Sequence, residues 1–212
     1  MEPAYADTVR DPFFEARIDG LQIVHREGVS PEDVAALIVA HKKNVAEGRD
    51  ACEHWGPGST VSRVTLATPG RPPADVAVKW NPWRGPRRAL SDSTFGSRAA
   101  RAASGAERLV SFALLAPLTL AVAERRRFGC VVESFLLTEF LDGSLPLPAL
   151  MPELRADPKR RRRIADRLGE LIGTLHAADL DHSDLKHSNL MVTPEDEIVL
   201  LDLDVLEPPR RV

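Results

Sequence analysis

With 212 residues, 43% hydrophobic and 28% charged, the chain is sized for one large domain or two small lobes around a real core. A net charge of -3 gives no global argument for nucleic acid. The longest apolar stretch, Leu114 to Val122, is broken by Pro117 and falls short of a membrane span. Cys52 and Cys130 stand far apart, outside any metal-ligand spacing, which fits a reducing cytosol. The N-terminus lacks the basic start and apolar run of a secretory signal.

In chain order, Met1 to about Gly20 reads as loosely ordered or strand-like. Ser30 before Pro31-Glu32-Asp33 is a helix start with a cap, a first-turn proline and first-turn acids. That helix would run to about Val45 and bury Val34, Leu37, Ile38 and His41 on one face. Trp55 to Thr60 is a glycine-bearing turn before the alternating run Val61 to Leu66. A second turn at Pro69 to Pro73 returns the chain through Val76-Ala77-Val78-Lys79-Trp80. An antiparallel pair with Gly56 and Gly58 ahead of it offers backbone N–H groups to cover phosphates, and Lys79 offers a cation to hold them.

Trp83 to Phe95 reads as a basic, turn-rich connection. Ser97 to Leu115 is Ala-rich and predicts a helix with a stripe of Ala99, Ala103, Ala106, Val110 and Ala113. Glu107 lies beside that stripe, where a carboxylate wants a cation such as Lys79. Leu118 to Val122 and Val131 to Phe140 predict strands around an Arg-rich turn, Arg125 to Arg127, that ends in Gly129. The second strand would cross between two lobes, with backbone groups at Glu139 to Leu141 facing an adenine edge. Ile164, Leu168, Leu171, Ile172 and Leu175 keep helical spacing from about Pro158 onward. The basic runs Arg125 to Arg127 and Lys159 to Arg163 read as solvated faces, with a docking site for an anionic partner as the alternative.

The most informative stretch is His182-Ser183-Asp184-Leu185-Lys186-His187-Ser188-Asn189, followed by Leu200-Leu201-Asp202-Leu203-Asp204. H-x-D-L-K-x-x-N, a hairpin, and a strand ending in Asp supply what phosphoryl transfer from a nucleotide needs. Asp184 is the base candidate, Lys186 the phosphate cation, and Asn189 with Asp202 the magnesium ligands. If Leu190 to Val192 pairs with Ile198 to Leu201 about Thr193-Pro194-Glu195-Asp196, Val192 faces Val199 and Asn189 falls opposite Asp202. Two oxygen donors then share one end of a ladder, which suits a hard cation that keeps several waters.

Strands and a helix first, then a second helix, the catalytic loop and a hairpin resemble the protein-kinase-like fold. Within it, the chain resembles the lipopolysaccharide core (Kdo/heptose) kinases. The likeness rests on Ser59 to Val64, Gly96 to Ala102, Phe135 to Glu139, and His182 to Asn189 with Leu201 to Asp204, and covers about Cys52 to Leu206. It implies an α+β, two-lobed fold: residues 1–141 as an N-lobe with an antiparallel sheet, and 142–212 as a mainly helical, truncated C-lobe. It also implies ATP with Mg2+ and transfer to a sugar hydroxyl of a lipid-anchored glycan at the cytoplasmic face of the inner membrane. Contact with that anionic surface through the Arg clusters follows, with no nucleic-acid partner. Ser183 stands where many regulated protein kinases carry Arg, and Asp204 where the usual D-F-G has glycine. The chain ends ten residues after Asp202. A protein Ser or Thr as acceptor, and a non-catalytic nucleotide-binding module, are the competing readings.

Overall fold

The computed structural model describes residues 12–48, 52–54, 58–67 and 72–207. The chain divides into two compact units, Met1–Ala103 with Leu118–Phe140, and Ser104–Pro117 with Leu141–Val212.

In the first unit, β1 (Phe13–Ile18), β2 (Leu21–Arg26), β3 (Cys52–His54), β4 (Thr60–Leu66), β5 (Ala74–Asn81), β6 (Thr119–Arg127) and β7 (Cys130–Glu139) form one sheet. Its order is β1-β2-β6-β7-β5-β4-β3, and every pairing is antiparallel. The β1–β2 hairpin turns at Asp19-Gly20, both at positive φ (51° and 76°), the backbone that a two-residue turn of this hand needs. Of the N-terminal stretch read as loosely ordered or strand-like, Phe13–Ile18 is strand. Helix α1 (Pro31–Glu47) starts where Ser30 accepts the Asp33 N–H at 3.1 Å and stops at Gly48, φ 62°. Its Val34, Leu37 and Ile38 pack on Val76, Val78, Phe135 and Leu137 of the sheet. Because side chains alternate along a strand, Lys79 emerges on the face opposite Val78.

His41 is fully buried between the hydroxyls of Ser62 and Thr60. Burial first, and then neighbouring Lys42, lower its pKa to about 4, so it is neutral and structural. Lys42 lies over the Trp80 and Phe135 rings and pairs with Glu133 at 2.8 Å. Arg125 and the Trp80 indole N–H bond the same carboxylate. Burial pushes the Glu133 carboxyl up, but Lys42 and Arg125 outweigh it and hold the group below its ordinary range.

Two expectations fail here for traceable reasons. The connection from Trp83 contains a ten-residue helix, α2 (Pro86–Phe95), with Pro86 at its first turn. Arg125 to Arg127 belong to β6, because Arg125 pairs across the ladder with Glu133 and Arg126 bonds Glu124; the turn is Phe128-Gly129.

Helix α3 (Arg98–Ser111) starts with Ser97 accepting the Ala100 N–H and runs into the second unit. It buries Ala99, Ala102, Ala106 and Leu109 rather than the full expected stripe. Ala113 lies beyond its end, exposed, at φ 57°. In the second unit, α4 (Leu147–Ala156) and α5 (Pro158–Ala177) pack with two small sheets. One sheet orders β11 (Ile198–Leu200), β10 (Leu190–Val192) and β8 (Leu145–Pro146); the other pairs β12 (Leu206–Glu207) with β9 (Asp181–His182). Ile164, Leu171 and Leu175 of α5 meet Leu109, Leu150, Leu190 and Leu200 in one core. Among the described residues no helix is long and apolar enough to cross a membrane.

The basic run at the start of α5 braces this unit. Asp157 caps the helix by accepting the N–H groups of Lys159 and Arg160. Arg160 and Arg163 both reach Asp196 at the tip of the β10–β11 hairpin, at 2.7 and 2.9 Å. Burial raises the Asp196 carboxyl, yet the two guanidinium groups overrule it and hold it low.

Candidate active site

The candidate catalytic loop lies between β9 and β10, wholly within the second unit. His182 is buried, and its Nε2 donates to the Leu201 carbonyl at 3.1 Å, tying the start of the loop to the residue before Asp202. A backbone turn follows, with Leu185 N–H on the His182 carbonyl. Asn189 is 3% exposed and donates its amide to the Asp184 carbonyl at 2.9 Å and to Asp184 Oδ2 at 3.3 Å. With its NH2 group so used, the Asn189 side-chain oxygen remains as an acceptor.

Asp184 is half-exposed and ion-paired with Lys186, whose Nζ is 2.6 Å from Oδ2. The Lys186 hydrogen bond is the main reason that its carboxyl lies below the ordinary range, while the nearby charge of Asp202 works in the opposite direction. Such a carboxylate is always ionised at neutral pH and is a weak base. It suits orienting an acceptor hydroxyl and taking its proton late.

The hairpin register differs by one residue from the sequence reading. Leu190 pairs with Leu200, Met191 with Val199, and Val192 with Ile198, so Asn189 faces Leu201, whose N–H bonds the Asn189 carbonyl at 2.9 Å. The cause is the turn. Asp196 takes φ 63°, its N–H bonds the Thr193 carbonyl, and the Thr193 N–H bonds the Glu197 carbonyl, so the connection from Val192 to its partner is 193–197, one residue shorter than the expected 193–198. A slip by one would turn a strand residue to the other face. Here Asp202 leaves the ladder in a left-handed conformation, φ 60°, that sets its own direction.

The donor chemistry fits magnesium. Asn189 and Asp202 supply an amide oxygen and a carboxylate, and Mg2+ commonly takes one or two protein oxygens and completes its shell with water and phosphate. Among the described residues no three His, Cys, Asp or Glu side chains converge on one point, so no all-protein cage competes with that arrangement.

One contributor escaped the sequence reading. A Cβ built on Gly105 of α3 would lie 2.6 Å from the Leu203 carbonyl oxygen, so only glycine allows the helix this close to the turn after Asp202. Leu115, just past α3, accepts the Leu200 N–H and bridges Val199. An isolated Gly in a helical pattern was the available signal.

The remaining expected residues divide by unit. Lys79 sits on β5 between Val61 and Leu136. Gly58 is at φ 96° and a Cβ there would strike the Arg84 guanidinium, whereas Gly56 lies outside the described residues. Glu107 is exposed on the part of α3 that belongs to the second unit. At the crossing segment, the Glu139 N–H is taken by the Leu118 carbonyl and the Phe140 N–H by the Asp75 carbonyl. Glu139 turns its side chain back to accept the Leu118 N–H at 2.8 Å, and burial raises its pKa against that bond. The Leu141 carbonyl accepts from Ser144, and its N–H has no partner among the described residues.

The family model described as lipopolysaccharide kinase (Kdo/WaaP) family matches residues 91–208, more than half of the chain. The chain belongs to that family. It is thus of a kinase lineage, with a phosphotransferase's assignment, and the resemblance read from its motifs is the family that the match gives. The match spans Asp184, Lys186, Asn189 and Asp202 and begins after Gly58 and Lys79. No curated protein matches the chain. Among solved structures, "WaaP in complex with acyl carrier protein" is similar with a TM-score of 0.56 and 16% identity, over 88% of this chain and 73% of that one. At that identity the likeness carries the fold, which is protein-kinase-like.

Proposed function

We propose that the chain transfers the γ-phosphate of ATP, with Mg2+, to a hydroxyl of a sugar in the lipopolysaccharide inner core. The observation that carries this reading is the Asp184–Lys186–Asn189 cluster, an ionised carboxylate with its cation and a locked amide, one short hairpin away from Asp202. Asp184 orients the acceptor hydroxyl and takes its proton as the new O–P bond forms and the bond to the leaving nucleotide breaks. Lys186, released from Asp184, neutralises charge on the moving phosphoryl group. Asn189 and Asp202 would hold magnesium, which supplies charge neutralisation on the phosphate oxygens when bound. Lys79 would hold the nucleotide phosphates. The Leu141 N–H is the remaining backbone donor of the Glu139–Leu141 segment for an adenine edge.

Positioning and fixed charges supply most of the rate in such a reaction. The sugar would be presented on a glycolipid, so the chain would work in the cytoplasm against the inner membrane. The likeness to a protein captured with acyl carrier protein makes that carrier a candidate partner, checked by gel filtration of the mixed proteins.

The test is transfer of labelled γ-phosphate to Kdo- and heptose-containing acceptors, alongside thermal unfolding with Mg-ATP. A magnesium-dependent rise in midpoint that Asp202→Ala removes, together with label on the sugar, supports the reading. A rise without transfer to any inner-core acceptor overturns it in favour of a nucleotide-binding module.

A further inference from the structure

Five large apolar side chains among the described residues are more than half exposed: Val39 at 67%, Trp83 at 53%, Leu90 at 63%, Phe95 at 74% and Phe128 at 97%. Four of these five belong to two neighbouring elements of the first unit. Trp83 leads into α2, Leu90 and Phe95 lie on it, and Phe128 tips the β6–β7 turn. The elements are joined where Ser93 Oγ of α2 accepts the Val131 N–H at 2.8 Å, three residues after Phe128.

The exposed charges outside ion pairs here are arginines. Arg87 is exposed with no ion pair among the described residues, and Arg127 is exposed over the Phe128 ring at 6.0 Å. Asp92, the one acid of α2, is occupied by Arg88 and Arg101. The arginine clusters first expected to meet an anionic surface are largely committed elsewhere: Arg125 and Arg126 to glutamates, Arg160 and Arg163 to Asp196.

We propose that the first unit docks on an anionic lipid surface through Trp83, Leu90, Phe95 and Phe128, with Arg87 and Arg127 at the headgroups. Leu90 and Phe95 on the helix and Phe128 at the turn are exposed, while Trp83 borders a small pocket beside Arg84, Arg88 and Asp92. A soft interface accepts such groups by letting each one sink, whereas a folded partner would need a matching socket for each. Aromatic and leucine side chains with arginines beside them are the composition of surfaces that lie in the headgroup region. The purpose rests on the glycolipid reading above, since a kinase with a membrane-held acceptor gains from being held beside it.

The experiment is flotation of the full chain with vesicles of phosphatidylcholine, with and without phosphatidylglycerol. Wild type should float only with the anionic lipid, and less as salt is raised. The pair Phe95→Ser and Phe128→Ser, and separately Arg87→Glu and Arg127→Glu, should each lower the floated fraction about tenfold. Arg161→Glu, in the other basic run, should leave it unchanged. All of these positions are exposed, so the thermal midpoints should match wild type. Absence of wild-type flotation, or equal flotation of wild type and both pairs, overturns the proposal. So does normal flotation of variants that lose binding to acyl carrier protein, which would assign the surface to a protein partner. The Mg-ATP thermal shift separates the two readings: kept in non-floating variants, it supports docking as a separate property. Lost in wild type that still floats, it marks failure of the nucleotide assignment alone.

Discussion

Glu133 and Asp184 are both carboxylates held below their ordinary range by cations, and their surroundings differ. Glu133 is mostly buried and bonded by Lys42, Arg125 and the Trp80 indole, with its partners drawn from α1, β5 and β6. Asp184 is half-exposed and relies on Lys186, two residues away on the same loop. A carboxylate tied from three elements cannot release a partner without cost to the fold. One paired locally in water can exchange its cation for a substrate with little cost, because exposed ion pairs contribute little. The depressed pKa is common to both, so it is the origin and burial of the partners that separate an anchor of the fold from a group suited to chemistry.

Four substitutions would break or sharpen that contrast. The largest effect is expected from Asp184→Asn, which should lower phosphoryl transfer about 10³-fold while leaving the thermal midpoint and the Mg-ATP shift near wild type. Transfer at wild-type rates would remove Asp184 from the mechanism. Gly105→Ala should destabilise the second unit by about 2 kcal/mol, since the added methyl meets the backbone oxygen of Leu203; urea unfolding reads this, and an unchanged midpoint would mean that α3 shifts freely. Glu133→Gln should cost about 1 to 2 kcal/mol in the same assay, with kcat on a soluble acceptor unaltered. A fall in kcat at constant stability would contradict its structural role.

The smallest effect concerns Glu139. Its carboxyl is raised from an ordinary value of 4.5 by burial. A raised carboxylate contributes stability that is present below the unfolded value and lost as pH rises through the folded one. Glu139→Gln keeps an acceptor for the Leu118 N–H and removes the buried charge. The variant should therefore melt slightly higher than wild type at pH 7, and the difference should vanish below pH 4.5. An equal difference at both pH values would assign the effect to packing.

The clustering in the candidate loop was legible because it is local: Asp184, Lys186 and Asn189 lie within six consecutive residues, and Lys186 and Asn189 both bond Asp184. Capping at Ser30 and the Ile164–Leu171–Leu175 face were legible for the same reason, as each is set by a few neighbours along the chain. The β1–β2 hairpin was also written locally, in Asp19-Gly20, but went unread. What could not be read depended on distant partners. Nothing near Gly105 in sequence announces the Leu203 carbonyl, and nothing near Arg160 announces Asp196. The hairpin register turned on whether Asp196 would adopt positive φ, a choice stabilised by the two arginines of α5 that grip it.

Asp202 holds a left-handed backbone that glycine adopts more easily, and it adds negative charge beside Asp184. Both features weigh against the fold, and under the proposed function a bound cation would offset them. Under the proposed function, directed evolution that sorts a library of this chain for heat tolerance alone, without nucleotide, would enrich Asp202→Gly and deliver sturdier proteins that have lost their trade. Selection for hardiness and selection for turnover pull this one codon in opposite directions, so any thermostabilisation campaign should hold it fixed.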